Sequence, residues 1–467
     1  MTPRTSIRIA ALALGVSLAG CNSFLHDEKT KSDPNVASNA SPAQLFTAIQ
    51  ANLNIVMAGP AVRLTEMWVQ RMSGTDRQYQ SYGQYQGVTE NSFDVIWTAI
   101  YDGGGLVDIR KVEDAARANN DRTYLGIARI YEALLMGTAA DLWGDVPYSE
   151  VLSGAETPKL DLQADVYDHV QAVLDSAIAD LAAGEGVGPT NTDFSFGGDA
   201  TKWTAVAHTL KARFYLHTAK VNTGAYAQAA TEAALGIQSP SGDWLMYSSA
   251  KAGEENIWFQ FFRERDSYMR AGKFFVDLMT ARADPRKAEY FGPAGNGQIG
   301  GANPGENLNG STMSWLSATR GAPAFHQPIV TADENSLILA EAQARGGATG
   351  AAITTLNAER ARHSLGNVSG ALTGNALLMA ILDEKFVATF QTYEGYADYR
   401  RTCYPNLTPA AGADQFAGNL PPRFPYPSVE QTANPNVPDL AAQPRRNTLD
   451  SPPLATSLDG AACKAEK

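Results

Sequence analysis

The sequence predicts a mainly α fold, in which helical hairpins form a tetratricopeptide-like platform with long loop excursions. Apolar residues recur at the i, i+3, i+4, i+7 spacing that places them on one face of a helix. These segments follow one another in pairs joined by short breaks, as stacked helical hairpins require. Between the pairs lie long stretches without periodicity. We therefore expect helices to build the scaffold and loops to carry the function.

The first clear helix covers the apolar stripe from Tyr124 to Leu142. It ends at Gly144, with Pro147 just beyond, which is a typical helix stop. Further helices are predicted, in chain order, at 162–181, 202–220, 225–237, 334–345, 348–363 and 375–393. The helix at 225–237 is rich in alanine, which lets two helix axes approach closely. The pairs resemble tetratricopeptide units of about 34 residues, although their spacing is irregular.

Three loop excursions interrupt this platform, at 74–90, 186–198 and 292–328. The last is the longest and is heavy in glycine and asparagine. A stretch of this kind is either disordered or a functional loop held against a rigid scaffold. Its aromatic residues favour the second interpretation, since disordered segments rarely keep them.

The N-terminus has the pattern of a secretory signal peptide. Arg4 and Arg8 precede a short apolar run, which leads to Leu-Ala-Gly and then Cys21. The apolar run is too short to span a bilayer, so we expect residues 1–20 to be removed. The four residues from Leu18 to Cys21 resemble the lipobox of bacterial lipoproteins, which implies lipid attachment at Cys21. An ordinary secreted protein with a chance cysteine at this position is the alternative.

After the signal peptide we expect a flexible lipidated tether at 21–42, because this segment is polar and rich in Ser and Asn. One helical domain then covers 43–467. The whole chain has 37 basic and 49 acidic residues, a net charge of −12. This balance argues against a nucleic-acid partner and against electrostatic adhesion to anionic lipid. We expect no later apolar stretch to reach the roughly 20 residues of a membrane span, so the lipid is the predicted membrane anchor.

Two cysteines remain once Cys21 carries lipid. Cys403 and Cys463 form an even pair in a compartment that permits oxidation. We therefore predict a disulfide that ties the tail of the chain to the segment around Cys403. Two unpaired thiols are the alternative.

The best candidate binding site is the run of tyrosines and glutamines at 77–86. Tyr79, Tyr82 and Tyr85 recur every third residue, with glutamines between them. Aromatic faces beside amide groups suit a saccharide, because the apolar face of a pyranose stacks on a ring while its hydroxyls form hydrogen bonds. The other interpretation is that the three tyrosines form one face of a helix packed on the platform, and the two are not exclusive.

Two further aromatic residues lie in or beside the glycine-rich excursion. Tyr290 and Trp315 are the next candidates for ligand contact. Trp68, ahead of the tyrosine run, is expected in the core. The same is expected of Trp143, Trp203 and the aromatic cluster that begins at Trp258, since these occur at element boundaries or inside apolar runs.

No catalytic constellation is evident in the sequence. There is no His-Glu-x-x-His pair, no cysteine-histidine zinc spacing, no Gly-x-Ser-x-Gly elbow and no phosphate loop. We therefore expect no catalytic residue, metal or cofactor. The acid pairs 383–384 and 254–255 keep a tethered glycoside hydrolase as an alternative, because that reaction needs two carboxylates. A structural or adhesive surface protein is a third possibility.

Several segments together resemble the SusD/RagB family of outer-membrane lipoproteins, in particular its SusD-like branch. The segments that carry the resemblance are Asp-Leu-Trp-Gly-Asp-Val-Pro-Tyr at 141–148, 158–167, 196–203, 339–342, 356–360, 399–405 and 422–427. The resemblance implies a lipid-anchored outer-membrane protein that faces the cell exterior and performs no catalysis. It also implies capture of a nutrient, usually an oligosaccharide and in some relatives a peptide, and delivery to a TonB-dependent SusC-like transporter.

Overall fold

The computed structural model describes residues 40–410, 419–450 and 456–463. The predicted signal peptide, the lipid site Cys21 and most of the predicted tether lie outside the described residues. The chain divides into two compact units, 1–44 and 45–467. In the first, the Ser41 backbone N–H donates to Gln44 Oε1 at 2.9 Å, and the Gln44 backbone N–H donates to Ser41 Oγ at 3.3 Å. These bonds form a reciprocal cap at a helix start.

The described residues are mainly helical, which confirms the predicted fold class. The helices are α1 Pro42–Ala58, α2 Pro60–Trp68, α3 Arg77–Gly83, α4 Asp94–Tyr101, α5 Leu106–Ala118, α6 Arg122–Trp143, α7 Gln163–Ala183, α8 Ala200–Thr218, α9 Ala225–Ala233, α10 Ile257–Glu264, α11 Lys273–Ala281, α12 Arg286–Tyr290, α13 Ala332–Arg345, α14 Thr349–Arg362, α15 Gly374–Ala388, α16 Glu394–Thr402 and α17 Ser428–Ala433.

Four short strands accompany these helices. They are β1 Met72–Gly74, β2 Trp244–Met246, β3 Met269–Ala271 and β4 Gln327–Val330. β1 pairs with β3 and β2 pairs with β4, both antiparallel. Each pair joins segments far apart in the sequence, so the strands fasten the excursions to the helical scaffold.

Helices α6 to α9 form two successive hairpins that pack tightly on one another, as predicted. Glycines on α6 make the close approach possible. A Cβ at Gly137 would overlap the Phe214 ring on α8, and a Cβ at Gly126 would lie 2.8 Å from the Leu181 side chain on α7. The stop predicted at Gly144 is confirmed, because this residue has φ +82 and its N–H closes the last turn. A larger residue at either close contact would push the helices apart.

The predicted helix at 375–393 is wrong in its last five residues. α15 ends at Ala388, Gln391 adopts φ +67, and α16 begins at Glu394. A buried arginine from the N-terminal half donates hydrogen bonds to carbonyl groups on both sides of this break. Arg71 Nη1 donates to the Phe386 carbonyl at 3.1 Å, and its Nη2 donates to the Thr392 carbonyl at 2.6 Å. The carbonyls of the broken helix are thus satisfied from outside.

The alanine-rich helix α9 is shorter than predicted and ends at Ala233 instead of 237. Its buried face consists of Ala225, Ala229 and Ala233. The last two pack in one apolar cluster with Ile338 and Ala342 of α13. The small side chains therefore bring neighbouring hairpins into close contact, as the sequence predicted.

Helices α1 to α5 were not predicted in detail from the sequence. The stretch Pro42–Trp68 is long and apolar enough to cross a membrane by length and composition alone, contrary to the expectation that no such stretch follows the signal peptide. However, 56% of its most apolar window is buried inside the protein, and Phe46, Leu53 and Trp68 belong to the main core. This burial is typical of a core helix.

The glycine-rich excursion is an ordered loop in the structure. The Ala302 N–H donates to the Ala271 carbonyl at 2.9 Å, and the Lys273 N–H donates to the Ala302 carbonyl at 2.8 Å. Phe291 and Leu316 form an isolated antiparallel bridge. The interpretation as a loop held against a scaffold is therefore the one that the structure supports.

The tail of the chain returns to the helical platform. Cys403 and Cys463 form a disulfide, with their Cα atoms 5.4 Å apart. The Asn375 side chain also donates to the Leu458 carbonyl at 3.0 Å. The pairing is the one predicted from the sequence, and both sulfurs belong to the main core.

Buried ion pairs cross the helical core. His217 on α8 contacts Asp141 of α6 through Nδ1 at 2.8 Å and Glu394 of α16 through Nε2 at 3.1 Å. On the same helix, Arg213 pairs with Glu334 of α13. The burial of these groups makes their pairing necessary, because an unpaired charge in the core is costly.

Candidate functional site

The predicted tyrosine run begins with a short helix and not with an open loop. Its first seven residues form α3, and Asp76 at its start accepts the Arg77 N–H. Tyr79 and Tyr82 lie on neighbouring turns with ring centroids 5.6 Å apart. Both are half-buried. One side of this pair packs on the protein and the other side is open, so both interpretations of the tyrosine run apply to these two residues.

Tyr79 is the inner member of the pair. Its ring lies 5.0 Å from Phe261 of α10 and 5.5 Å from Tyr268, measured between centroids. Arg63 Nε donates to the Tyr79 hydroxyl at 3.4 Å, and the Arg63 guanidinium lies 4.3 Å from the Phe261 centroid. The tyrosine is therefore held in a fixed position by rings and by a cation.

The structure removes Tyr85 from the predicted binding set. α3 ends at Gly83, and Tyr85 adopts φ +61, so the three-residue spacing no longer keeps it beside Tyr82. Its ring is fully buried, and its hydroxyl donates to the Trp68 carbonyl at 3.3 Å. Burial raises the pKa of Tyr85 to about 12. Tyr85 is a core residue and has no surface to offer a ligand.

Tyr290 is likewise a core residue, and its prediction as a ligand contact is wrong. Its ring stacks on Phe390 at 5.0 Å, and its hydroxyl donates to the Val387 carbonyl at 3.2 Å. The Arg320 guanidinium covers the ring at 4.3 Å. Burial raises the pKa of Tyr290 to about 12. The last turn of α12 directs this side chain into the core, where Arg320 of the glycine-rich loop covers it.

Trp315 is open to solvent, with 40% of the residue exposed. Its ring lies nearly parallel to Phe262, at 6.4 Å and 21°. The buried Arg270 guanidinium lies 4.5 Å from the ring centroid, and burial lowers the pKa of Arg270 to about 10. The Trp315 backbone carbonyl accepts the Gly292 N–H at 3.0 Å. Trp315 is therefore exposed and at the same time fixed by its neighbours.

The structure brings three of the predicted residues into one aromatic system. Tyr82 contacts Tyr79, Tyr79 contacts Phe261, Phe261 contacts Phe262 at 5.3 Å, and Phe262 contacts Trp315. We call Tyr79, Tyr82, Phe262 and Trp315, the members that are not fully buried, the aromatic face. The glycine-rich loop and α3 lie at its two ends, joined by α10.

Hydrogen bonds fix the glycine-rich loop beside α3. The Gln80 side chain donates to the Gly305 carbonyl at 2.9 Å and to Asn307 Oδ1 at 2.8 Å. The Ser73 hydroxyl donates to the Asn303 carbonyl at 2.8 Å. Gly305 has φ +76, and a Cβ there would overlap the Gln84 side chain. Glycine is needed at this position for both reasons, and the loop is fixed in place beside α3.

The remaining tryptophans predicted as packing residues are buried. Trp68, Trp143, Trp203 and Trp258 are among the largest fully buried side chains. Trp143 Nε1 donates to the Pro425 carbonyl at 2.9 Å, and Trp203 Nε1 donates to Asp193 Oδ2 at 2.8 Å. They stabilise the scaffold and offer no surface to a ligand.

A second aromatic site, which the sequence did not indicate, lies in a cleft of about 680 Å³ beside α1. Phe194 and Tyr247 line it, and each is 48% exposed. Their ring centroids are 5.8 Å apart. Phe194 belongs to the predicted excursion at 186–198 and Tyr247 follows β2. The two residues lie more than 50 positions apart in the sequence, so no local pattern pairs them.

The acid pairs considered for catalysis are already engaged in ion pairs or hydrogen bonds. Glu384 is fully buried and contacts Arg282 and Arg286, and also Arg360 at 3.0 Å. Asp383 accepts the Tyr404 hydroxyl at 2.9 Å. In the other pair, Glu255 accepts both of its bonds from Arg263 at 2.9 Å, and Glu254 pairs with Lys251 at 2.6 Å. Neither pair presents two free carboxylates across a cleft.

One cluster among the described residues has the side chains of a metal site. The ligand atoms of Asp333, Glu359 and His363 lie within 4.8 Å of one another. His363 Nε2 contacts Asp333 Oδ2 at 2.9 Å. Arg362 joins the same cluster, reaching Asp333 Oδ1 at 3.2 Å and also contacting Glu359. A guanidinium already supplies the positive charge here, so the cluster is an ion-pair network that joins the start of α13 to the end of α14.

The chain matches a family model described as starch-binding and associating with the outer membrane. The match covers residues 34–427. No curated protein matches the sequence.

Solved structures of SusD-type proteins share the fold. A chitin-binding SusD homologue from Flavobacterium johnsoniae has a TM-score of 0.74 at 19% identity, covering 87% of this chain and 98% of its own. A SusD/RagB family protein from Bacteroides thetaiotaomicron has a TM-score of 0.70 at 20% identity, covering 89% and 98%. A SusD-like protein from the same species has a TM-score of 0.73 at 20% identity, covering 91% and 99%. At these identities the likeness establishes the fold.

Proposed function

The chain belongs to the SusD-like family, whose model matches most of its length, and from this premise we propose that it binds oligosaccharide at the aromatic face without catalysis. The family description, starch-binding and associated with the outer membrane, supports a carbohydrate ligand and an outer-membrane location. A structural neighbour described as chitin-binding supports the same ligand class.

The exposed ring of Trp315 is the observation that carries the proposal. An exposed indole costs free energy in water, and this one is held rigidly by Phe262 and by Arg270. A pyranose presents C–H groups on one face, so it covers such a ring without losing the solvation of its hydroxyls. Tyr79 and Tyr82 extend the surface beyond the first sugar, which favours an oligosaccharide over a single sugar.

The proposal of a binding protein and not an enzyme is supported by the state of the acid pairs. Glycoside hydrolysis needs one carboxylic acid and one carboxylate facing the same bond. At the two pairs named above, arginine, lysine or tyrosine partners occupy these carboxyl groups. A tethered glycoside hydrolase, a peptide-binding protein and an adhesive surface protein are the alternatives that the experiment below separates.

We further propose that lipid at Cys21 and a flexible tether at 21–42 hold a single helical domain, 43–467, at the outside of the outer membrane. There it passes its ligand to a SusC-like TonB-dependent transporter. Family membership supports this assembly. Extraction of the membranes with detergent, followed by purification of this protein, is expected to recover a large β-barrel transporter. Recovery of the protein alone would contradict the proposed partnership.

The binding proposal is tested by calorimetry on the detergent-solubilised full chain with maltohexaose, hexa-N-acetylchitohexaose and a peptide panel. We expect an intact saccharide to bind and Trp315→Ala to weaken it about tenfold, because ring stacking contributes on the order of 1 kcal/mol or more. Leu308→Ala, at a similarly exposed position in the same loop, is the matched control. Equal affinities for wild type and Trp315→Ala would contradict the site, and release of shorter products would indicate an enzyme.

A further inference from the structure

The cleft lined by Phe194 and Tyr247 has the features of a ligand site and lies apart from the aromatic face. Its walls are α1, the loop that carries Phe194, the segment after β2 and the first turns of α10. The two rings are inclined at 41°, and the His326 ring lies 5.5 Å beyond Tyr247. Helix α10 separates the two sites, because Ile257 and Gln260 line the cleft whereas Phe262 belongs to the aromatic face.

The cleft is fixed before any ligand arrives. The Gln50 side chain on α1 accepts the Phe194 N–H at 2.9 Å and donates to the Thr192 carbonyl at 2.6 Å. Asp193 accepts backbone N–H groups from Ser195 at 2.9 Å and Gly198 at 2.8 Å. The loop that presents Phe194 is therefore tied both to α1 and to itself. A ligand that stacks on this ring has no loop to order, which favours affinity.

A buried hydroxyl is left without a well-formed hydrogen bond in this cleft. Tyr131 lines the cavity and is 1% exposed, and its hydroxyl makes no hydrogen bond of good geometry, although the Ser195 and Trp244 side chains lie close to it. Trp244 Nε1 donates to Ser195 Oγ at 3.1 Å, so these two polar neighbours of Tyr131 are bonded to each other. An unsatisfied buried hydroxyl is unfavourable in the free protein. A ligand hydroxyl that reaches it gains a bond that the protein itself does not offer.

The charge of the lining narrows the ligand class. The charged side chains that line the cleft are Glu254 and Glu255, and each is paired with one cation, Lys251 or Arg263. Because the two cations are already taken up by these carboxylates, an anionic ligand would lose hydration without gaining a charged partner, which disfavours uronic acids and sulfated sugars. Amide groups of Asn54 and Gln260 also line the cleft and suit neutral hydroxyls.

We propose that this cleft is a second saccharide site, which takes a short neutral saccharide stacked on Phe194 and Tyr247 with one hydroxyl bonded to Tyr131. The proposal rests on the proposed function in its choice of saccharide as ligand class. It does not depend on the aromatic face, because different residues form the two sites.

Tyr131→Phe is the sharpest test, because it removes the hydroxyl and leaves the ring. If the hydroxyl had a structural role, this change would lower the unfolding midpoint. Since the hydroxyl makes no hydrogen bond of good geometry, we expect a nearly unchanged midpoint, together with weaker saccharide binding at the cleft. The double variant Phe194→Ala with Tyr247→Ala removes the two exposed rings and provides an independent measurement.

Binding is measured by calorimetry on the detergent-solubilised full chain with maltotriose, tri-N-acetylchitotriose, trigalacturonate and the peptide Gly-Trp-Gly. Each cleft variant is made in the wild-type and in the Trp315→Ala background. We expect the Trp315→Ala protein to keep one class of binding site for a neutral trisaccharide. In this background, the cleft variants should weaken the affinity of that site about tenfold. Trigalacturonate is expected to bind this site more weakly than the neutral sugars.

The outcomes separate the two sites. If Trp315→Ala abolishes binding and the cleft variants bind as wild type does, the cleft proposal is overturned and the aromatic face stands. If Trp315→Ala has no effect while the cleft variants abolish binding, the aromatic face is overturned and the cleft stands. No binding of any saccharide overturns both. Binding of Gly-Trp-Gly alone, sensitive to the cleft variants, overturns the saccharide assignment.

Discussion

Arg213 donates two hydrogen bonds to Glu334, from Nε to Oε1 and from Nη2 to Oε2, each 2.6 Å long. Both side chains are withdrawn from solvent. The pair joins α8 to α13, and therefore connects two of the helical hairpins that build the platform. Arg213 Nη2 also donates to the Ile329 carbonyl at 2.8 Å, at the start of the segment that leads into α13.

Arg213→Met is expected to lower the free energy of unfolding by about 3–5 kcal/mol, because it leaves the buried Glu334 carboxylate unpaired. Adding Glu334→Leu to this variant should restore most of the loss. Urea unfolding measures both. Lys273→Met, which breaks an exposed pair with Asp277, is the control and should change stability by less than about 0.5 kcal/mol. An Arg213→Met protein as stable as the Lys273→Met control would contradict the role of the pair.

Stability is expected to fall at alkaline pH through His217. Burial by itself lowers the pKa of His217, but the carboxylates of Asp141 and Glu394 outweigh it and raise the pKa to about 9. The contribution of a group with a raised pKa is complete below the unfolded value of about 6.5 and is lost as pH rises through about 9. The difference in unfolding free energy between wild type and His217→Gln should therefore shrink by about 3 kcal/mol from pH 6 to 10. Parallel pH profiles for the two proteins would refute this.

Tyr82 and Tyr85 should respond in opposite ways to replacement by alanine. Tyr85→Ala empties a core position and should cost about 3–5 kcal/mol of stability, with little effect on saccharide affinity beyond unfolding. Tyr82→Ala removes a half-buried ring of the aromatic face and should cost far less stability but weaken binding. Thermal unfolding and calorimetry on the same samples separate the two effects. Weaker binding by a folded Tyr85→Ala protein, with Tyr82→Ala unaffected, would reverse the assignment.

Loss of the disulfide is expected to destabilise the protein by about 2–4 kcal/mol. The bond joins residues 60 positions apart, so it restricts a long loop in the unfolded chain. Urea unfolding of the double variant Cys403→Ala with Cys463→Ala measures this loss. A reducing agent should shift the wild-type midpoint and leave that of the double variant unchanged. Two thiols that alkylate without reduction would show that the alternative of unpaired cysteines is correct.

The sequence predicted the helical hairpins well, because a stripe repeating every 3.6 residues is a local property. The helix that ends at Gly144 lies where it was expected, and the family resemblance is confirmed by the family model. The break after Ala388 was missed because its cause is not local. Arg71, more than 300 positions away in the sequence, supplies the bonds that make this break possible.

Prediction of the site was limited by the same distinction. The i, i+3 spacing placed Tyr79 and Tyr82 together correctly, since a helix keeps that spacing. It was wrong for Tyr85, because the helix ends two residues earlier and a positive φ turns the ring inward. Phe194 and Tyr247 belong to separate segments that only the fold brings together. No periodicity marks such a pair.

The fastening of the glycine-rich loop has a consequence for how this protein changes over evolutionary time. Its bonds to Ser73 and Gln80, and the bond from the Leu308 N–H to the Thr75 carbonyl, include main-chain atoms of the loop. Substitution of the loop's side chains leaves these attachments intact. Selection is therefore able to exchange the groups displayed next to Trp315 without rebuilding the framework underneath.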